Sequence, residues 1–178
     1  MLRPLACVLI LALAAPPAFA QAARGKLSRQ DREFATHAMS GGQLEVELGR
    51  IAERQAGSDA VRGFGQKMVQ DHSANNQQMQ TVAQGLGLTQ PAQLPADERR
   101  QVERLSSLSG PDFDAAYMPF MVKDHEKDIK EFEKEIRKGT NAQLKGYAQQ
   151  TLPVLQQHLQ LARQVSAAQN VAQTPRQR

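Results

Sequence analysis

Between Arg29 and Ala168, apolar side chains return at steps of three and four residues through four long stretches, and no other feature restricts the fold as much. In the first, from about Arg29 to Ala56, Phe34, Gly41, Leu44, Leu48 and Ile51 form one stripe. The second, from about Asp59 to Gln84, carries Val61, Gly65, Met68, His72, Asn75, Met79 and Val82, continued by Leu86. The third, from about Asp112 to Lys138, carries Met118, Val122, His125, Ile129, Phe132 and Ile136. The fourth, from about Asn141 to Ala168, carries Leu144, Ala148, Leu152, Leu155, His158, Leu161 and Val165. That spacing is the packing period of helices in a bundle. Ser28 and Ser58 stand where N-caps are needed, and Gly57 and Gly139 where helices stop. Aromatic residues make up only 4% of the chain, with no Trp, which argues further against a sandwich or barrel.

The segment between the second and third helices, Gly85 to Pro111, is unusually long. Within it Ala96 to Leu108 reads as a short amphipathic helix, with Val102, Leu105 and Leu108 on one face. A helix of about 27 residues is about 40 Å long, and a connection of this kind can cross back along it. The fold expected is all-α: a ferritin-like four-helix bundle with one long crossover. In that topology helices 2 and 3 are parallel, which brings His72 and His125 to one level. It leaves His158 about 6 Å along the axis and His37 at one end of the bundle, away from the other three. The domain spans 29–168, after a flexible lead-in at 21–28 and before a disordered tail at 169–178.

Residues 1–20 read as a Sec signal peptide. Arg3 supplies its charge, Leu5 to Ala15 its apolar run, and Ala18-Phe19-Ala20 a small-x-small cleavage site, so the mature chain begins at Gln21. A bacterial periplasmic location follows. The apolar run is too short to span a bilayer, and no later segment is apolar enough. The only cysteine, Cys7, leaves with the signal, which removes disulfides and thiolate ligands from the mature protein. The formal net charge of +4 is spread along the chain with no basic block beside aromatics, so nucleic acid is not an expected partner.

The chemistry lies with the histidines, one in each long helix. His72, His125 and His158 all fall on apolar seams, with Glu45 and Glu47 flanking the helix 1 stripe near the level of His158. Imidazoles and carboxylates on facing helices are how bundles build metal sites, here for a transition-metal ion such as Zn, Cu or Fe. A di-metal carboxylate centre is not expected, because no Glu-x-x-His pair occurs; Asp71, Asp124 and Asp128 are close in sequence but not at that spacing. The other reading is that the histidines are interior groups satisfied by carboxylates or carbonyls. Pro119 and Pro153 precede His125 and His158 within their helices; Pro119 also reads as a first-turn residue of a helix starting near Met118. The methionines read as core filling and not as copper ligands.

Four stretches together resemble a known family: Gly42 to Ala52 (GQLEVELGRIA), Met68 to Asn75 (MVQDHSAN), Phe113 to Glu133 (FDAAYMPFMVKDHEKDIKEFE) and Leu144 to Leu161 (LKGYAQQTLPVLQQHLQL). They are similar to the bacterial domain of unknown function 4142, over roughly Asp31 to Val165. The resemblance implies export and a ferritin-like fold, and no reaction. Members are often labelled outer membrane proteins, but the chain has no series of alternating strands to match that label. Two functions stay open: a periplasmic metal-binding or metal-handling bundle, and a non-catalytic envelope or stress-related protein that acts on a protein partner. No Gly-x-Ser-x-Gly elbow, His-Glu-x-x-His motif or P-loop supports an enzyme.

Overall fold

A computed structural model describes residues 27–173; the signal-peptide reading at 1–20, most of the lead-in and residues 174–178 lie outside them. Five helices follow one another: α1 (Arg29–Gln55), α2 (Asp59–Gly85), α3 (Ala96–Ser106), α4 (Gly110–Lys138) and α5 (Ala142–Gln173). Each long helix starts where the sequence offers a way to satisfy its free N–H groups. Ser28 and Asp31 form a reciprocal capping box on α1, Ser58 accepts from the Val61 N–H on α2, and Asn141 accepts from Gln143 and Leu144 on α5. At α4, Gly110 takes a left-handed φ of 60° and Pro111 follows it in the first turn.

The expected helices are all present. Two boundaries differ with consequences. α4 begins at Gly110, so Pro119 is inside the helix and not in its first turn. α5 runs to Gln173, into the stretch expected to be tail, because Ala and Gln continue a helix readily without an apolar stripe.

α1 pairs with α2 and α4 with α5, while α2 also packs on α5 and α1 on α4. Two buried aspartates fix how the hairpins face each other. Asp31 at the start of α1 accepts from the Thr140 and Asn141 N–H groups in the α4–α5 turn. Asp114 near the start of α4 accepts from the Gly57 and Ser58 N–H groups in the α1–α2 turn. Hence α1 is antiparallel to α4, and α2 and α4 are parallel. The segment from Leu86 to Ser109 therefore crosses back along the bundle. Its helix α3 packs on α1 and α4 and buries Leu105 completely. Inside the first hairpin the backbones approach closely: a Cβ on Gly65 would stand 2.6 Å from the Ala52 Cβ and 2.8 Å from the Gly49 carbonyl.

The apolar core has two halves. One holds Leu48, Phe64, Met68, Phe113, Tyr117 and Met121; the other holds Phe34, Met79, Phe132, Leu144, Tyr147 and Leu155. Each long helix places at least one polar side chain inward where these halves meet. Glu45, His72, His125, Asp128 and His158 are all buried there, at 5% exposure or less. A polar layer in the middle of an apolar core costs stability unless its members satisfy one another or bind something.

Candidate metal centre

The three seam histidines meet in that layer. Their ring centroids are 5.1 Å apart for His72–His158, 5.4 Å for His125–His158 and 5.8 Å for His72–His125. One ring nitrogen of each lies within 4.8 Å of one in each of the others. The axial offset expected for His158 is absent. It arose from ending the fourth helix at Ala168; the full α5 places His158 at its middle, level with His72 and His125.

Two of the three rings, His125 and His158, are held from behind. The His125 Nδ1–H donates to the Met121 carbonyl at 3.0 Å. A carbonyl only accepts, so the proton is on Nδ1 and the His125 Nε2 is a lone pair. The His158 Nε2–H donates to Asp71 Oδ2 at 2.7 Å, which leaves the His158 Nδ1 as a lone pair. Burial works against the charge of Asp71, but hydrogen bonds from Lys67 and His158 keep it below the usual carboxylate range, so it stays an acceptor. His72 sets its Nδ1 2.8 Å from Glu45 Oε2, while its Nε2 is buried without a hydrogen-bond partner.

These assignments leave lone pairs face to face. The His125 Nε2 and the His158 Nδ1 are 3.4 Å apart. Burial holds the rings neutral, lowering His72 and His158 to about 4 and His125 to about 3, so no extra proton fills the gap at pH 7. Glu45 Oε1 stands 3.3 Å from the same His125 Nε2 and has no hydrogen-bond partner of its own. A tetrahedral metal with bonds of about 2.0–2.1 Å to nitrogen has ligand–ligand edges of roughly 3.3–3.4 Å. The 3.4 Å and 3.3 Å separations match such an edge. Outward N–H donation to a carboxylate or carbonyl, with the lone pair turned inward, is the supporting pattern of metal-bound histidine. Neutral imidazoles with one carboxylate are a donor set for Zn, Cu or Fe.

Glu47 does not join the site. It is exposed and lines an open groove between α1 and the crossover, because residues 45 and 47 point to different sides of a helix. Glu45 is the member turned inward, beside Leu44 and Leu48. His37, expected at the end of the bundle and apart from the others, is closer than that. Its Nε2 pairs with Asp128 Oδ1 at 2.9 Å. With Glu45, His72 and Asp128 it walls a cavity of about 10 Å³, the space of one water-sized body. Asp71 and Asp128 were missed as site residues. Their signal was adjacency: Asp71 precedes His72, and Asp128 is one turn from His125. Met118 and Met121 have Met-x-x-Met spacing, yet both are fully buried in the apolar half beside the site, as core residues.

No curated protein matches the chain. Solved structures of DUF305 proteins share its fold. A DUF305 protein from Streptomyces coelicolor, whose name describes it as secreted, matches with a TM-score of 0.67 and 16% identity, over 79% of this chain and 92% of its own. A DUF305 fragment from Deinococcus radiodurans matches with a TM-score of 0.70 and 12% identity, over 81% and 99%. At these identities the likeness shows an all-helical bundle and nothing about activity. Among the described residues no helix is long and apolar enough to cross a membrane. The family model described as Domain of unknown function (DUF4142) matches residues 16–165, and the chain belongs to that family.

Proposed function

We propose that this protein is an exported, ferritin-like bundle of the bacterial periplasm that binds one transition-metal ion, of the Zn, Cu or Fe class, through His72, His125, His158 and Glu45. The observation that carries the reading is the pair of imidazole lone pairs facing each other at 3.4 Å, each ring anchored from behind. A purely structural histidine cluster would link the rings by N–H donation. Here the N–H groups of His125 and His158 point away from the shared interior, and the His72 Nε2 is unsatisfied. Unpaired buried groups of this kind cost roughly 1–3 kcal/mol each, which a bound cation removes. Export is supported by the Arg3, Leu5–Ala15 and Ala18-Phe19-Ala20 pattern and by the secreted description of the S. coelicolor neighbour. The role is storage, buffering or delivery of the metal, since no nucleophile or hydrolytic motif accompanies the site.

Titration of untagged, EDTA-treated protein with Zn²⁺ tests this reading. One ion per chain is expected. At 100-fold over the dissociation constant it stabilises by about 2.7 kcal/mol, a rise in Tm of roughly 5–10 °C. The His72→Gln/His125→Gln/His158→Gln variant should show neither. Failure of Zn²⁺, Cu²⁺ and Fe²⁺ alike to bind or to shift the wild-type Tm would overturn the reading. One observation favours the alternative, an envelope or stress-related protein that binds a partner: an open groove of about 950 Å³ between α1 and the crossover, lined by Glu47, Arg50, Arg54 and Arg99. On that reading the triple variant keeps its cellular phenotype.

A further inference from the structure

His37 is the histidine that the imidazole centre leaves out. His37, Gly41 and Glu45 follow one another at steps of four residues, so they share one face of α1 on successive turns. At roughly 1.5 Å per residue, His37 lies about 12 Å along the axis from Glu45. Position 41 belongs to the apolar stripe of α1, where a core side chain would be expected, yet it carries none. Gly41 is buried, but a Cβ placed on it would meet no atom within 4 Å. No close backbone approach calls for this glycine, and a glycine inside a helix is destabilising. Its effect is to hold a gap open inside the bundle.

The gap joins two spaces. On its inner side is the chamber of about 10 Å³ walled by Glu45 and His72. On its outer side is a groove of about 350 Å³ under α3. His37, Gly41 and Asp128 line both. His37 Nε2 and Asp128 Oδ1 meet at 2.9 Å, a bond from α1 to α4 at the junction of the two spaces. Their side chains are 20% and 7% exposed, so the imidazole is the outer member of the pair and the carboxylate the inner one.

Charge favours this approach for a cation. The groove under α3 sets Asp97, Glu98, Asp124 and Asp128 against Lys123 and Lys127. The larger groove between α1 and the crossover shares just Asn76 with the chamber, and Asn76 is tied to the Gly42 carbonyl at 2.9 Å. On its walls Arg50, Arg54 and Arg99 outweigh Glu47 and Glu103. A divalent ion is drawn to the first and held off by the second.

We propose that the metal ion reaches the histidine centre from the groove under α3, through the gap at Gly41, and that the His37–Asp128 pair is the gate of that route. The proposal rests on the metal reading above and adds how the ion enters and leaves. A chamber with room for one water does not admit a fully hydrated ion. The ion sheds water at the gate, where Asp128, released by His37, is the first carboxylate to replace it. The hydrogen bond between the pair parts to let the ion through and reforms behind it.

Co²⁺ loading of the EDTA-treated, full mature chain, followed by its visible absorption in a stopped-flow instrument, reads the rate of entry. Excess EDTA reads the rate of release. Gly41→Val sets a side chain in the gap and should slow both roughly tenfold, with equilibrium affinity within about threefold of the wild type. Gly41→Ala, a favourable exchange inside a helix, should slow both by less. His37→Ala should speed both roughly threefold or more, again at nearly constant affinity. A merely structural role would move the affinity or the Tm and not the two rates in parallel. Asn76→Ala, which loosens the wall towards the arginine side, should leave both rates as they are. A final Co²⁺ spectrum like that of the wild type certifies that each variant is folded with its ligands in place. Wild-type rates in the Gly41 and His37 variants, or faster exchange in Asn76→Ala alone, would overturn the route while the metal reading stands. If the wild type takes up no Co²⁺, both fall.

Discussion

His158 shows how far the centre depends on groups behind the ligands. Its Nε2–H donates to Asp71, and that bond is what leaves its Nδ1 free to face His125. Asp71→Asn should weaken Zn²⁺ about 10–100-fold, because an amide orients the ring less firmly and lowers its basicity. Competition against a chromophoric chelator measures the change. An unchanged affinity would mean that the ring is positioned by packing alone. At this scale the sequence shows the three imidazoles plainly, since a polar residue on an apolar seam is conspicuous. It shows the carboxylates poorly. Asp124 and Asp128 are flanked by Lys123 and Lys127 and look like an ordinary solvated face. Glu45 and Glu47 flank the same stripe, and only the placement of the neighbouring helices decides which one is buried.

Helices bring these side chains together, and the turns set how helices align. Asp31 is the joint at one end. It accepts from the Ser28 N–H and hydroxyl on α1 and from the Thr140 N–H, Thr140 hydroxyl and Asn141 N–H in the α4–α5 turn. Burial pushes its pKa up, but these donors outweigh it and hold Asp31 well below the usual carboxylate range. A depressed folded-state pKa contributes stability that is complete above the unfolded value of roughly 3.9 and is lost as pH falls through the folded one. Asp31→Asn should therefore lower stability at pH 7 by about 2 kcal/mol, a fall in Tm of roughly 4–8 °C. The gap between variant and wild type should narrow below about pH 4. Thermal melts from pH 7 to pH 3 check both parts; a gap that widens in acid would contradict this account. The helices themselves were legible because their period and caps agree. The end of α5 was not, because Ser166 to Gln169 carries no large apolar side chain although the helix continues through it. With α5 extending to Gln173, His158 lies at the middle of the helix and not past it.

At the scale of the whole molecule, the crossover makes α2 parallel to α4, and this sets three imidazoles at one level between two apolar half-cores. The length of the 86–109 segment made that topology readable from the sequence, since a chain of this length with its own helix can span the bundle. What periodicity could not supply was the lateral order of the helices, on which the contact between His37 and Asp128 depends. The two half-cores keep the bundle intact around a polar centre that would be costly if it bound nothing. X-ray absorption at the zinc edge, on mature protein loaded with one equivalent, tests that centre most directly. A four-coordinate shell of three imidazole nitrogens and one carboxylate oxygen at about 2.0–2.1 Å is expected, with the multiple scattering of histidine rings. A shell of oxygen alone, or zinc lost on buffer exchange, would contradict it.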